Sequence, residues 1–89
     1  MTLKELLDIT KYQLKDLTTL KKPDFRLEQT EYIKKEGVWD VVVSYLVENT
    51  NKRLGVGLLT EFEFHRIYKR VKIDNEGVIV GVYIYNNRE

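Results

Sequence analysis

Val38-Trp39-Asp40-Val41-Val42-Val43-Ser44-Tyr45-Leu46-Val47-Glu48 is the stretch on which the fold turns. It is rich in β-branched and aromatic residues, which fit a pleated surface better than a helix. Successive strand residues point to opposite sides, so Trp39, Val41, Val43, Tyr45 and Val47 share one apolar face. Asp40, Ser44 and Glu48 fall on the other. The spacing therefore predicts a strand over residues 38–48 whose apolar face packs on a helix.

That helix is readable at the start of the chain. Thr2-Leu3-Lys4-Glu5 has the form of a capping box, and behind it Leu3, Leu7, Thr10, Leu14 and Leu17 recur in steps of four and three, with Leu6 beside them. Lys4, Asp8, Lys11 and Lys15 lie opposite. Lys21, Lys22 and Pro23 supply a stop, so the helix is expected over roughly residues 2–21. Residues 25–34, with Phe25, Leu27, Tyr32 and Ile33 among charged neighbours, read as an edge strand. Lys35-Glu36-Gly37 is the turn that joins it to residue 38.

Beyond residue 48, Asn49-Thr50-Asn51-Lys52-Arg53 reads as a polar turn, followed by an apolar segment, residues 54–59, broken by Gly55 and Gly57. A long strand over residues 62–74, a tight turn at Asp74-Asn75-Glu76-Gly77 and a last strand over residues 78–85 complete the pattern. On that last strand, alternation puts Val78, Val80, Val82 and Ile84 on one face and Ile79, Tyr83 and Tyr85 on the other. The fold class is α+β: one domain, residues 1–89, with an N-terminal helix on a four-stranded antiparallel sheet in the order α-β-β-β-β.

Composition narrows the function classes. Hydrophobic residues make up 43% of the chain and charged ones 33%, enough apolar material for one small core. The net charge of +1 gives no global electrostatic argument for nucleic acid or membrane. The chain has no cysteine, which excludes disulfides and thiolate chemistry, and its single histidine excludes a multi-histidine metal site. No leader-like or bilayer-spanning stretch is present, so a cytoplasmic protein without membrane contact is expected.

No catalytic centre announces itself. His65 shares a strand side with Glu63, but Ser44 lies on another strand with no nucleophile-elbow glycines, so a sheet-surface histidine is the simpler reading. Asp74-Asn75-Glu76-Gly77 looks like a calcium-loop fragment without the remaining ligands, and reads as a plain turn. Gly55 and Gly57 lack the Lys-Ser/Thr ending of a phosphate loop. Neither a metal nor a cofactor is called for.

One feature stands out. Between residues 52 and 72, six basic residues (Lys52, Arg53, Arg66, Lys69, Arg70, Lys72) stand against two acidic ones, Glu61 and Glu63. Phe62, Phe64, Arg66, Tyr68 and Arg70 alternate along one strand, and Tyr83 and Tyr85 can share their face. Aromatic rings interleaved with arginine on an open sheet can anchor a protein or stack bases. The alternative is that a bulge turns Phe62 and Phe64 inward and leaves an ordinary solvated row. Leu54, Val56 and Leu58 form a second candidate contact if their segment projects, and extra core if it folds back.

The run over residues 37–85 resembles the small PepSY-like and cystatin-like domains, among them the accessory gas-vesicle protein O family. The shared features are Gly37-Val38-Trp39-Asp40-Val41-Val42-Val43 and the hairpin Tyr68-Lys69-Arg70-Val71-Lys72-Ile73-Asp74-Asn75-Glu76-Gly77-Val78. The chain departs from the gas-vesicle family by inserting residues 53–61 and by ending in Asn86-Asn87-Arg88-Glu89. The resemblance implies a non-catalytic domain that binds or inhibits another protein. The expected function is thus a protein-interaction module (an accessory, adaptor or inhibitor subunit) using Arg66, Tyr68, Arg70, Tyr83 and Tyr85 on a partner protein or on a second copy in a homodimer. Single-stranded nucleic-acid binding through the same face is the second reading.

Overall fold

The structure, a computed structural model, describes residues 1–48 and 64–85. It comprises α1 (Leu3–Leu14), a 3₁₀ turn (Lys15–Leu17), β1 (Arg26–Ile33), β2 (Val38–Glu48), β3 (Phe64–Asp74) and β4 (Ile79–Ile84). The strands form one antiparallel sheet in the order β1-β2-β3-β4. This is the α+β arrangement expected from the sequence. Among the described residues, no helix is long and apolar enough to cross a membrane.

The capping box is formed. Thr2 Oγ1 accepts from the Glu5 amide at 3.0 Å, and Glu5 Oε1 accepts from the Thr2 amide at 2.8 Å. At the other end the α-helix stops at Leu14 and the 3₁₀ turn at Leu17, four residues short of the expected boundary at residue 21. Thr18, not Pro23, ends it. Its backbone is extended, and its hydroxyl donates to the Leu46 carbonyl at 2.7 Å while accepting from the Leu20 amide at 3.2 Å. A threonine that finds such partners competes with helical pairing. The Leu46 amide then donates to the Pro23 carbonyl at 2.7 Å, which ties the descending chain to β2.

The core lies between α1 and the sheet. Leu6 and Leu14 meet Val41, Val43, Tyr45, Val71 and Ile73, with Ile9, Phe25, Leu27, Trp39, Val47, Ile67 and Ile79 around them. The apolar face of β2 is therefore the one expected. The helical stripe is not quite the expected one: Leu6, Thr10 and Leu14 are buried, Leu7 is half-buried, and Leu3 and Leu17 are exposed. The two stripes share Thr10 and Leu14, so the helix is turned by only about 40°, less than half of the ~100° per residue, which brings Leu6 and Ile9 inward in place of Leu3 and Leu17. Thr10 can be buried because its hydroxyl donates to the Leu7 carbonyl at 2.8 Å. Phe25 and Tyr45 stack with ring centroids 5.0 Å apart, and burial pushes the Tyr45 hydroxyl pKa up.

The turns follow their glycines. Gly37 and Gly77 take positive φ, 66° and 83°, where a side chain would be strained. Asp74 Oδ1 accepts from the amides of Glu76 and Val78 at 2.8 and 3.0 Å, so its carboxylate closes the turn. The β2–β3 ladder runs unbroken from Val38 opposite Asp74 to Glu48 opposite Phe64. Irregularities fall instead in β1, between Leu27 and Gln29, and in β4, where Lys72 opposes Gly81 and Ile73 opposes Ile79. Val80 is thus an extra residue, and the alternation expected for β4 breaks there. Ile79 joins Val82 and Ile84 on the helix side, and Tyr83 stays on the other.

Truncation should tell the buried stripe from the exposed one. Val43→Ala is expected to cost about 1–3 kcal/mol and Leu6→Ala about 2–5 kcal/mol, whereas Leu17→Ala should stay within about half a kcal/mol. Urea unfolding checks this, and a Leu17→Ala loss equal to that of Leu6→Ala would restore the stripe read from the sequence.

Candidate interaction surface

The sheet face away from α1 holds the residues singled out in the sequence. Directly opposite residues of a ladder share a face, so the pairs Leu46–Arg66, Ser44–Tyr68, Val42–Arg70 and Arg70–Tyr83 place Arg66, Tyr68, Arg70 and Tyr83 together. Phe64 lies at the end of the same row and is exposed. No bulge interrupts the described part of β3, so Phe64 does not turn inward; Phe62 lies outside the described residues. Tyr85 follows β4 and lines a shallow depression with Arg70, Asp40, Val42, Gln29 and Glu31.

The arginines have different surroundings. The Arg66 side chain is only 17% exposed. Its guanidinium donates to Asp24 Oδ2 at 2.6 Å, to the Asp24 carbonyl at 3.1 Å and to Ser44 Oγ at 2.8 Å. Ser44 in turn donates to Glu28 Oε2 at 2.6 Å. Arg66 therefore ties β3 across β2 to the chain entering β1, and its donors face inward. Arg70 is more open: its Nε donates to Asp40 Oδ1 at 3.1 Å, and its guanidinium carbon stands 5.1 Å from the centre of the Tyr83 ring. Lys72 pairs with Glu36 at 3.2 Å.

Tyr83 owes its pose to Gly81. A Cβ at Gly81 would collide with the Tyr83 ring and hydroxyl, so the ring lies along the strand over the glycine and beside Arg70. Tyr68, Arg70, Tyr83 and Tyr85 thus form the accessible part of the expected set, and Arg66 forms a buttress. The sequence reading missed Asp24 and Ser44 as partners of Arg66, Glu28 as the acceptor of Ser44, and Asp40 as the partner of Arg70. Asp24 takes φ 55°, a region that Asp tolerates better than most non-glycine residues. Leu54, Val56 and Leu58 lie outside the described residues.

His65 and Ser44 do not meet. His65 opposes Val47 and Ser44 opposes Tyr68, so they occupy opposite faces. Ser44 is engaged by Glu28 and Arg66. Comparison with known families, curated proteins and solved structures finds no match for this chain.

The buttress is pH-sensitive at Asp24. The hydrogen bond from Arg26 holds the carboxyl below its usual range; partial desolvation opposes this, and the Arg66 hydrogen bond and the charges of both arginines reinforce it. A carboxyl with a depressed folded-state pKa stabilises the fold above its unfolded value, and that contribution is lost as pH falls through the folded value. In wild-type protein the unfolding midpoint should drop as pH falls below about 4. Asp24→Asn should be less stable at neutral pH and show a shallower acid limb; parallel limbs would mean that the Arg26–Asp24–Arg66 contact does not hold in solution.

Proposed function

We propose that this chain is a non-enzymatic protein-interaction module, an accessory, adaptor or inhibitor subunit that binds a partner protein through the sheet face opposite α1. The observation that carries this reading is the cluster of Tyr68, Arg70, Tyr83 and Tyr85 on one face, with Arg70 against the half-exposed Tyr83 ring. Tyr and Arg dominate interface hot spots because they offer large rigid planes and directed donors at small entropic cost. Resemblance to PepSY-like and cystatin-like domains points the same way.

The charge arrangement favours a protein over nucleic acid. Arg66, Arg70 and Lys72 all bond carboxylates of their own chain. Cations so engaged attract phosphate less, because a phosphate must compete with a neighbouring carboxylate. Of the four described basic residues behind the local positive excess, three are answered by Asp24, Asp40 and Glu36; Lys52 and Arg53 lie outside the described residues.

The test uses Tyr68→Ser with Tyr83→Ser, which leaves the Arg70–Asp40 pair in place. The double variant should keep its circular dichroism spectrum, since solvent-facing changes shift stability by only about half a kcal/mol each. Its affinity for a partner isolated from the source cell should fall at least tenfold, about 1.4 kcal/mol. Full affinity in the folded variant would move the site off this face. A single-stranded oligonucleotide bound tightly by wild type, with affinity falling steeply as salt rises, would favour the nucleic-acid reading.

A further inference from the structure

The two edges of the sheet differ in kind. β1 carries Arg26, Glu28 and Glu31 and an irregularity beside Glu28, the devices by which edge strands avoid pairing with other chains. β4 reads Ile-Val-Gly-Val-Tyr-Ile, with no charge and no proline. Its side chains are bare: Val80 is 54% exposed, Val82 43%, Tyr83 44% and Ile84 83%. Val82 and Ile84 belong to the helix side of the sheet, opposite Val71 and Lys69, yet α1 lies over β1 and β2, and among the described residues nothing covers them. An edge strand also presents unpaired N–H and C=O groups at alternate residues.

We infer that β4 pairs antiparallel with β4 of a second copy, about a two-fold axis at Tyr83, to make one continuous eight-stranded sheet. The occupant follows from charge and symmetry. Two copies of β4 bring apolar residues together and place no like charges across the axis, with Val82 of one chain opposite Ile84 of the other. Pairing β4 with β1 of another copy would set Val82 and Ile84 against an edge carrying Glu28 and Glu31, and would leave free edges that propagate. Hydrogen-bond parity is met by an axis at Tyr83, which also sets Val82 of each chain against Ile84 of the other. The Asp74 amide bonds the Val78 carbonyl at 2.9 Å, and alternation carried through the bulge at Val80 turns the polar groups of Tyr83 toward β3 and those of Val82 and Ile84 outward.

The exposed apolar patch is on the order of 400 Å² per chain, so two copies bury an area at the small end of specific interfaces. An interface this small is expected to be weak and transient, and the test concentrations are set around a dissociation constant on the order of 10 μM. The apolar contact of this inference rests on Val82 and Ile84, on the other side of the sheet from Tyr68 and Arg70, so the two readings share Tyr83 alone.

Sedimentation of the wild-type chain from about 1 to about 200 μM, a span bracketing that constant, should show a reversible monomer–dimer equilibrium. Ile84→Lys, at a site already exposed, should keep the fold and weaken dimerisation at least tenfold. The absence of cysteine permits a second, positional test. Tyr83→Cys should form a disulfide dimer on oxidation, because paired strand positions lie within disulfide reach. Val78→Cys, equally solvent-exposed, should not, since its two copies would sit far from the axis. A wild-type chain that stays monomeric across the range overturns the inference. So does a Val78→Cys chain that cross-links as readily as Tyr83→Cys, or a dimer that survives Ile84→Lys but dissociates on Tyr68→Ser, which would assign self-association to the open face.

Discussion

Burial of β2 on both of its faces is the constraint on which the rest depends. Five consecutive residues, Val41 to Tyr45, are buried, although only one side of the sheet carries a helix. On that side α1 covers Val41, Val43 and Tyr45. On the other, Val42 and Ser44 must be hidden by something else, because a bare antiparallel sheet would leave them wet. Long side chains from the flanking strands do it. Arg66 reaches across Ser44 to Asp24, while Arg70 and Tyr85 stand with Val42 at one depression. Arginine stems can shelter apolar surface while their heads bond at the rim.

This roof changes the meaning of the basic residues. A row of arginines on an open face suggests recruitment of anions when read from spacing alone. Here the same side chains shelter the central strand, and their charges are satisfied by Asp24, Asp40 and Glu36. The energetic weight falls differently along the row. Arg70, with its side chain 39% exposed, gains less from its pair with Asp40, since solvent screens the charge and ordering a long side chain costs entropy. Arg66 is mostly buried and has three oxygen acceptors, so its removal would take one of the two hydrogen bonds of Ser44 and unfasten the chain entering β1. Adhesive capacity shifts toward β4, where Tyr83 is held by Gly81 and Arg70 but faces solvent.

Local signals carried most of the fold. The capping box, the β2 alternation and the turn glycines are short-range features whose physics needs no knowledge of the rest of the chain. The failures were long-range or arose from an uneven count. The helix end depended on Thr18 meeting Leu46, 28 positions away, so the nearer visible stop at Pro23 misled. The face of Ile79 depended on one extra residue in β4, invisible in a run of valines. The ion pairs of the candidate surface needed the β2–β3 register, and the intervening chain is too long to fix a register by turn geometry. Which residues share the open face was therefore legible, while what each one bonds was not.

The bareness of β4 is a geometric consequence of this architecture. A helix is about 10 Å across and strands lie about 4.8 Å apart, so one helix shelters roughly two strands. Placed over β1 and β2, α1 can reach Val71 and Ile73 on β3, but the outer strand falls beyond its flank. A chain in this position can make the helix-side residues of its last strand polar, as an isolated domain would require, or keep them apolar and leave them for another surface. Here Val82 and Ile84 are kept apolar, while the opposite edge is charged. Among the described residues nothing covers Val82 and Ile84, and that difference between the edges fits the pairing inferred for β4.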